Sequence, residues 1–490
     1  MSDSTALSPS VSNDMVAPAI PRAGVHAPAE EGFWHAIREG LRGSHRDYTE
    51  GSVPRAIFIL AIPMVLEMVM ESVFAVCDVF FVSKLGASAV ATVGLTESWL
   101  TLVYAIALGL AVSVAALVAR RTGERDRDGA AHSAAQGILL GLGVALIIGV
   151  AGATLAPRLL GVMGATPEVI AGGSTYARVM LGGNVVIVML FLINSIFRGA
   201  GDAAIAMRVL WLANAINIVL GPCLIFGLGP FPRLGVTGAS VATTIGRGTG
   251  ALFALSRLIK PGSRIDIHAR HFHFDPKLIG RIFQLSWSAT LQMLIGMCSW
   301  IAIIRILSSF GSNILAGYTI GIRVIIFALL PALGVANAAA TMVGQALGAK
   351  KPERAEHAVK VAATYSSAVL AAVGVVLAIF APLIARLFTS DPEIIPYAAN
   401  CLRIVACGFP FYGIGMVVGQ SFNGAGDMRT PTLLNFFVFW CWEIPLAYVF
   451  AKVLGWGPTG VYIALAIAFS TYAVGGALLF RRGTWKARRV

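Results

Sequence analysis

The chain has 490 residues, of which 57% are apolar and 12% charged, against about 25% charged in soluble domains. That composition excludes a soluble enzyme and describes an all-α integral membrane protein. The formal charge of +13 does not imply nucleic acid, because most Lys and Arg sit in loops between apolar runs.

Residues 1–32 are rich in Ser, Pro and Ala and contain no apolar run, so they read as a disordered tail. Phe33, Trp34, Ile37 and Leu41 then share one helical face against His35, Arg38 and Arg42, the pattern of a short helix at the membrane surface. Tail and surface helix together take up residues 1–50. Twelve segments long enough to cross the bilayer follow, near 56–82, 89–118, 133–156, 169–197, 204–228, 236–259, 282–307, 314–343, 358–384, 394–421, 430–454 and 459–481. They divide into an N-terminal six-helix lobe, 51–259, a linker, 260–281, and a C-terminal six-helix lobe, 282–490. Basic residues concentrate before the first span, in the even-numbered connections and in the closing "RRGTWKARRV", so the positive-inside rule puts both termini in the cytoplasm.

The first span, "PMVLEMVMESVFAVCDVFF", carries Glu67, Glu71 and Asp78. A carboxylate in hydrocarbon costs on the order of 2.5–3.5 kcal/mol, so three on one helix require a task. At 100° per residue, Glu71 lies about 40° and Asp78 about 20° from Glu67, which places all three on one stripe. The stripe is expected to line a hydrated cavity, where neighbouring carboxylates repel one another and so become able to take a proton or a monovalent cation. A cationic cargo would compete for the same place. Glu97, at a depth similar to Asp78, reads as a rim residue in preference to an extension of the acidic patch. The linker "HARHFHFD", with His268, His271 and His273, reads as a basic surface against anionic lipid and not as a metal site. Glu443, in "FWCWEIPLAY", is a fourth acid at mid-span, either a substrate ligand or a structural partner. On this reading the only titrating cluster in the spans is acidic.

A shift of 225 residues superimposes the two halves: "FRGAGD" at 197–202 falls on "FNGAGD" at 422–427, and "TPEV" at 166–169 on "DPEI" at 391–394. "GVTGAS" at 235–240 echoes "GPTGVY" at 457–462 with a small slip. Six spans per copy give both halves the same orientation, as in transporters whose lobes rock about a central cavity. The same shift carries Glu67, Glu71 and Asp78 onto Gln292, Gly296 and Ile303, so the shared architecture does not demand carboxylates there.

The run "LAIPMVLEMVMESVFAVCDVFFVSKLG", the "RGAGD" and "NGAGD" turns, "NIVLGPCLIFGLGPFPRLGVTGAS" and the "GQALGAKKPERA" loop resemble the multidrug and toxic compound extrusion (MATE) transporters over about residues 55–480. The resemblance implies a multi-pass protein of the bacterial inner membrane, working as a monomer, that exports small organic cations or drugs in exchange for H⁺ or Na⁺ and needs no cofactor. It also implies a role in cation coupling for Asp78, which matches the aspartate of the family's "VD" motif. The family's fifth span often reads Asn, three residues, Asp; here Asn217 is kept and Gly221 stands at the acid. The acids that some members carry in the seventh and tenth spans are missing too. H⁺ is therefore favoured over Na⁺. Candidate coupling and cargo residues are Asp78, Glu67, Glu71, Asn217, Glu443 and Gln292. No GxxxxGK[ST] loop is present for an ATP-driven pump. The rivals are a flippase of a lipid-linked precursor, whose phosphates would favour a basic cavity, and a receptor or structural bundle, which would leave the acidic stripe without a task.

Overall fold

The computed structural model describes residues 33–43, 46–260 and 262–488. The disordered tail expected over 1–32 lies outside the described residues. The expected surface helix is present as α1 (Phe33–Arg42), with Trp34 exposed. Thereafter the first half consists of α2 (Val53–Ser83), α3 (Ala87–Gly123), α4 (Arg127–Val162), α5 (Pro167–Gly182), α6 (Asn184–Gly199), α7 (Ala203–Phe226) and α8 (Val236–Ile259). The second half repeats them as α9 (Pro276–Ser308), α10 (Ser312–Gly348), α11 (Pro352–Phe388), α12 (Ile395–Ala406), α13 (Phe409–Gly424), α14 (Arg429–Val453) and α15 (Gly457–Arg481).

Among the described residues ten helices, counting α5 and α6 as one, are long and apolar enough to cross a membrane. The pair α12 and α13, bent by 59° at their break, makes an eleventh. Helix α8 completes the expected twelve by length, since 24 residues span about 36 Å. It is less apolar because it carries Thr243, Thr244 and Arg247.

The 225-residue repeat is visible in the backbone itself. Arg125 and Lys350 both take a left-handed φ, 60° and 58°, and Gly201 and Gly426 take 83° and 81° in the "GAGD" turns. Helix α4 starts where the carboxylate of Asp126 accepts the Gly129 N–H at 2.8 Å, satisfying one of the free donors of its first turn.

The halves meet crosswise: α2 packs on α10, and α9 on α3. Glycines allow the close approach. A Cβ on Gly334 would lie 2.7 Å from the Val65 backbone nitrogen, and Gly109, its counterpart 225 residues earlier, abuts Thr290 in the same way. Gly123 and Gly348 press against Gln345 and Arg120 near the basic loops, again as a symmetric pair. Hydrogen bonds close the same end: Thr341 donates to the Arg198 carbonyl at 3.2 Å and Gln345 to the Gly199 carbonyl at 2.9 Å. Among the described residues, the hydrogen bonds between the two helical bundles fall at this end.

The segment just before α2 acts as a strap across the seam. Arg354 of α11 donates to the carbonyls of Tyr48, Glu50 and Gly51, while Arg125, at the end of α3, pairs with Asp47 and Glu50 at 3.0 Å each. Burial works against ionisation of Asp47, but the bonds from the Thr49 hydroxyl and amide, then Arg125, outweigh it and hold its pKa below the ordinary carboxylate range. A depressed folded-state pKa means the stabilisation is complete above the unfolded value and lost as pH falls through the folded one. The strap should therefore hold at neutral pH and loosen only in acid below the ordinary aspartate range. Hydrogen exchange of the Thr49 amide against pH reads this, and protection lost near neutrality would contradict it.

The linker keeps His268 and His273 exposed but departs from expectation at His271. His271 is buried, its Nε2 3.0 Å from Asp128 and its Nδ1 accepting the His268 N–H, so it folds onto α4 and does not face lipid. Gln136 of α4 fastens the same stretch by donating to the carbonyls of His271 and His273. These polar backbone groups needed partners, and α4 supplies them.

Candidate functional site

Helix α2 presents Glu67, Glu71 and Asp78 along one side, as its 3.6-residue period requires. Their surroundings differ from the expectation of facing, mutually repelling carboxylates. Glu67 is 2% exposed and accepts from Arg198 Nη1 of α6 at 2.7 Å. Glu71 accepts from Arg247 Nη2 of α8 at 3.0 Å and from the Asn214 amide of α7 at 3.0 Å. The acidic stripe is thus interleaved with two arginines. A charge this far from water is held by pairing, and the helices packed against α2 provide the partners.

Arg247 organises the first-half site. It is 2% exposed, and its guanidinium lies 5.2 Å from the Phe74 ring centre and 5.5 Å from that of Phe191. Such faces favour a cation, Arg above all. Its Nε and Nη1 have no hydrogen-bond partner among the described residues. Asp78, half-buried, is an electrostatic neighbour of Arg247, yet it makes no hydrogen bond or ion pair among the described residues. Glu97, Tyr104 and Tyr176 stand in the same field, and Glu97 is exposed, in keeping with a rim position.

Asn217 gives its amide N–H to Thr243 at 2.7 Å, one turn before Arg247 on α8. Its donor joins α7 to α8 and does not approach an acid. Gln292 and Glu443 lie together in the other half, in a separate cavity of about 320 Å³ between α9, α10, α12, α13, α14 and α15. The candidate residues therefore divide among four places: Glu67 at the seam, Glu71 with Asp78 around Arg247, Asn217 between two helices, and Gln292 with Glu443 in the second half. Trp211 and Trp440 make matching bonds, donating to the carbonyls of Leu66 and Ile295 at 3.1 Å each, and fasten the first helix of each half to the fifth. This places Trp440 in a structural role.

Two cations are what sequence reasoning overlooks. Arg198 reads as part of a basic loop, and Arg247 lies inside an apolar run where a buried cation is as strong a signal as a buried acid. The six titratable or amide residues proposed from sequence include neither.

The MatE family model matches residues 63–223 and again 289–449, one copy in each half. The chain is a member of the MatE family. Members of this family are membrane transporters and not enzymes. A probable multidrug resistance protein NorM of Thermotoga maritima is 26% identical over 444 residues, covering 89% of this chain and 94% of that one. A MATE structure in complex with MaL6 superimposes with a TM-score of 0.85 at 29% identity, covering 90% of this chain and 99% of the other. The outward-facing conformation of a multidrug resistance MATE family transporter matches equally well, with a TM-score of 0.85 at 29% identity over 92% of this chain and 99% of that one.

Proposed function

We propose that this MatE-family transporter exports small organic cations or drugs in exchange for H⁺, in preference to Na⁺, by rocking of two lobes, residues 51–259 and 282–490, joined by the linker 260–281. It works as a monomer in the bacterial inner membrane with both termini in the cytoplasm. The multidrug names of its relatives support the cargo class. Closure at the basic-loop end, together with the likeness to an outward-facing transporter, supports an outward-facing state.

The observation that carries the coupling reading is the contrast among the three acids of α2. Glu67 and Glu71 each have an arginine, whereas Asp78 has none bonded to it among the described residues and stands in the field of the buried Arg247. A proton arriving at Asp78 cancels a negative charge in the field of Arg247. That change biases how α2, α7 and α8 pack, which is what a coupling ion must do. The helix of Asn217 has Gly221 where an acid would complete a Na⁺ site, which supports H⁺ over Na⁺.

Protein in liposomes, loaded with a fluorescent organic cation, tests this. A pH gradient should drive movement and a Na⁺ gradient should not. Asp78→Asn should lower gradient-driven transport by roughly tenfold or more, about 1.4 kcal/mol in the coupled step. An Asp78→Asn variant as active as the native protein, or transport driven by Na⁺ alone, would contradict the proposal.

A further inference from the structure

The second half has lost the ion pair that fills the first. The 225-residue shift puts Gly296 where Glu71 stands, and the common "G-x-T-G" start of the sixth helices puts Phe469 where Arg247 stands. In place of the pair lies the cavity of about 320 Å³, and the space is real at Gly296, where an added Cβ would meet nothing within 4 Å. Into it projects Glu443, 2% exposed, with no hydrogen bond or ion pair among the described residues and its Oε2 fully buried. Among the described residues no Lys or Arg lines this cavity.

The local backbone explains how Glu443 comes to be there. Pro445 has no N–H to give, and the preceding run Phe436–Glu443 winds as a π-helix, a widened turn often found at functional positions. The same turn brings Phe439 against Phe469, with ring centres 5.2 Å apart, and Tyr412 stacks on Phe469 at 3.7 Å. Aromatic faces around one unpartnered carboxylate, with no competing cation, form a receptor for positive charge on an apolar body. An adjoining hollow of about 200 Å³ shares Gln292, Tyr412, Asn435, Phe439 and Phe469 and extends to Gln420. Gln420 also lines the small cavity at the seam beside Arg198 and Thr341, so the space leads from Glu443 toward the contact between halves.

We infer that this second-half cavity, with Glu443 as its counter-charge and Tyr412, Phe439 and Phe469 as its walls, is the binding site for the organic monocation cargo. The inference rests on the export reading above and assigns its two tasks to different halves. Around Arg247 the charges neutralise one another and respond to the coupling ion. At Glu443 a carboxyl with no counter-charge among the described residues stands in an apolar cavity, where a cation from outside supplies the missing partner.

Ethidium, a flat aromatic monocation whose fluorescence rises on binding, is the probe, titrated against the full-length protein in detergent. Native protein should bind it saturably. Glu443→Gln, which keeps the shape and removes the charge, should weaken binding at least about tenfold while leaving the elution profile and thermal midpoint unchanged. Gly296→Leu, whose side chain enters open space, should abolish binding by occupying the cavity. Asp78→Asn should still bind ethidium and lose only gradient-driven transport. No saturable binding to native protein, or unchanged affinity in both Glu443→Gln and Gly296→Leu, overturns the inference. If those two variants bind normally while Asp78→Asn loses transport, the cargo site fails and the coupling reading survives. If the reverse holds, the cargo site survives without it.

Discussion

Arg247→Met should destabilise the protein by about 3 kcal/mol, the lower end of the range for stranding one member of a buried ion pair. The figure sits low in that range because the side chain of Glu71 retains 25% exposure and keeps its bond from Asn214. Methionine preserves the bulk between Phe74 and Phe191, so the loss reads the charge and not a cavity. The same substitution removes the counter-charge beside Asp78 and should also shift the pH dependence of transport. A second substitution, Glu71→Gln, should recover most of the stability, since a neutral pair of similar shape costs little to bury. Thermal unfolding of native, single and double variants in the same detergent forms a double-mutant cycle. A single variant as stable as the native protein would mean that the pair contributes nothing.

Gly348→Leu should hold the basic-loop end open. Helix α10 runs so close to α3 here that even a Cβ would overlap the Arg120 carbonyl and lie 2.9 Å from the Glu124 nitrogen, both backbone atoms that cannot rotate away. Overpacking of this kind costs about 1–3 kcal/mol in the closed arrangement. An arrangement in which the halves part at this end bears no such cost, so the population shifts toward it. Transport should fall by roughly tenfold or more, since a transporter confined to one state cannot cycle. A cysteine at Thr341, which in the native arrangement bonds to the Arg198 carbonyl, should become reactive to an impermeant thiol reagent from the side of the basic loops. Normal transport with Thr341→Cys still protected would show that this seam is not the gate.

Together these variants separate two kinds of charge in the membrane. Glu67 and Glu71 are tied to Arg198 and Arg247 and set how α2 meets α6, α7 and α8. Among the described residues Asp78 and Glu443 have no such tie, and in the readings proposed above each answers a mobile positive charge. The division follows the repeat: the first half keeps an internal ion pair, and the second replaces it with Gly296, Phe469 and empty space. A duplicated bundle whose copies diverge in this way can give coupling to one copy and cargo to the other.

Much of this was legible in the amino-acid sequence. The apolar runs gave the helices, because backbone polar groups in hydrocarbon must be satisfied within each segment. The 225-residue repeat gave the two halves, and the left-handed residues Arg125 and Lys350 show that it extends to single turns. The 3.6-residue period placed Glu67, Glu71 and Asp78 on one side of α2, where they are found. Periodicity fixes only the direction in which a side chain leaves its helix. What it meets comes from elsewhere in the chain: Arg198 is 131 residues from Glu67, and Arg247 is 176 residues from Glu71. Only the packing of α6 and α8 on α2 turned an acidic stripe into two ion pairs and one aspartate without a partner among the described residues. In the same way the acid at position 443 could be read from sequence as either ligand or structural partner, and only the fold shows the second half closing around it with no partner among the described residues. A charge in a membrane is defined by its nearest opposite charge, and that distance is a property of the folded chain.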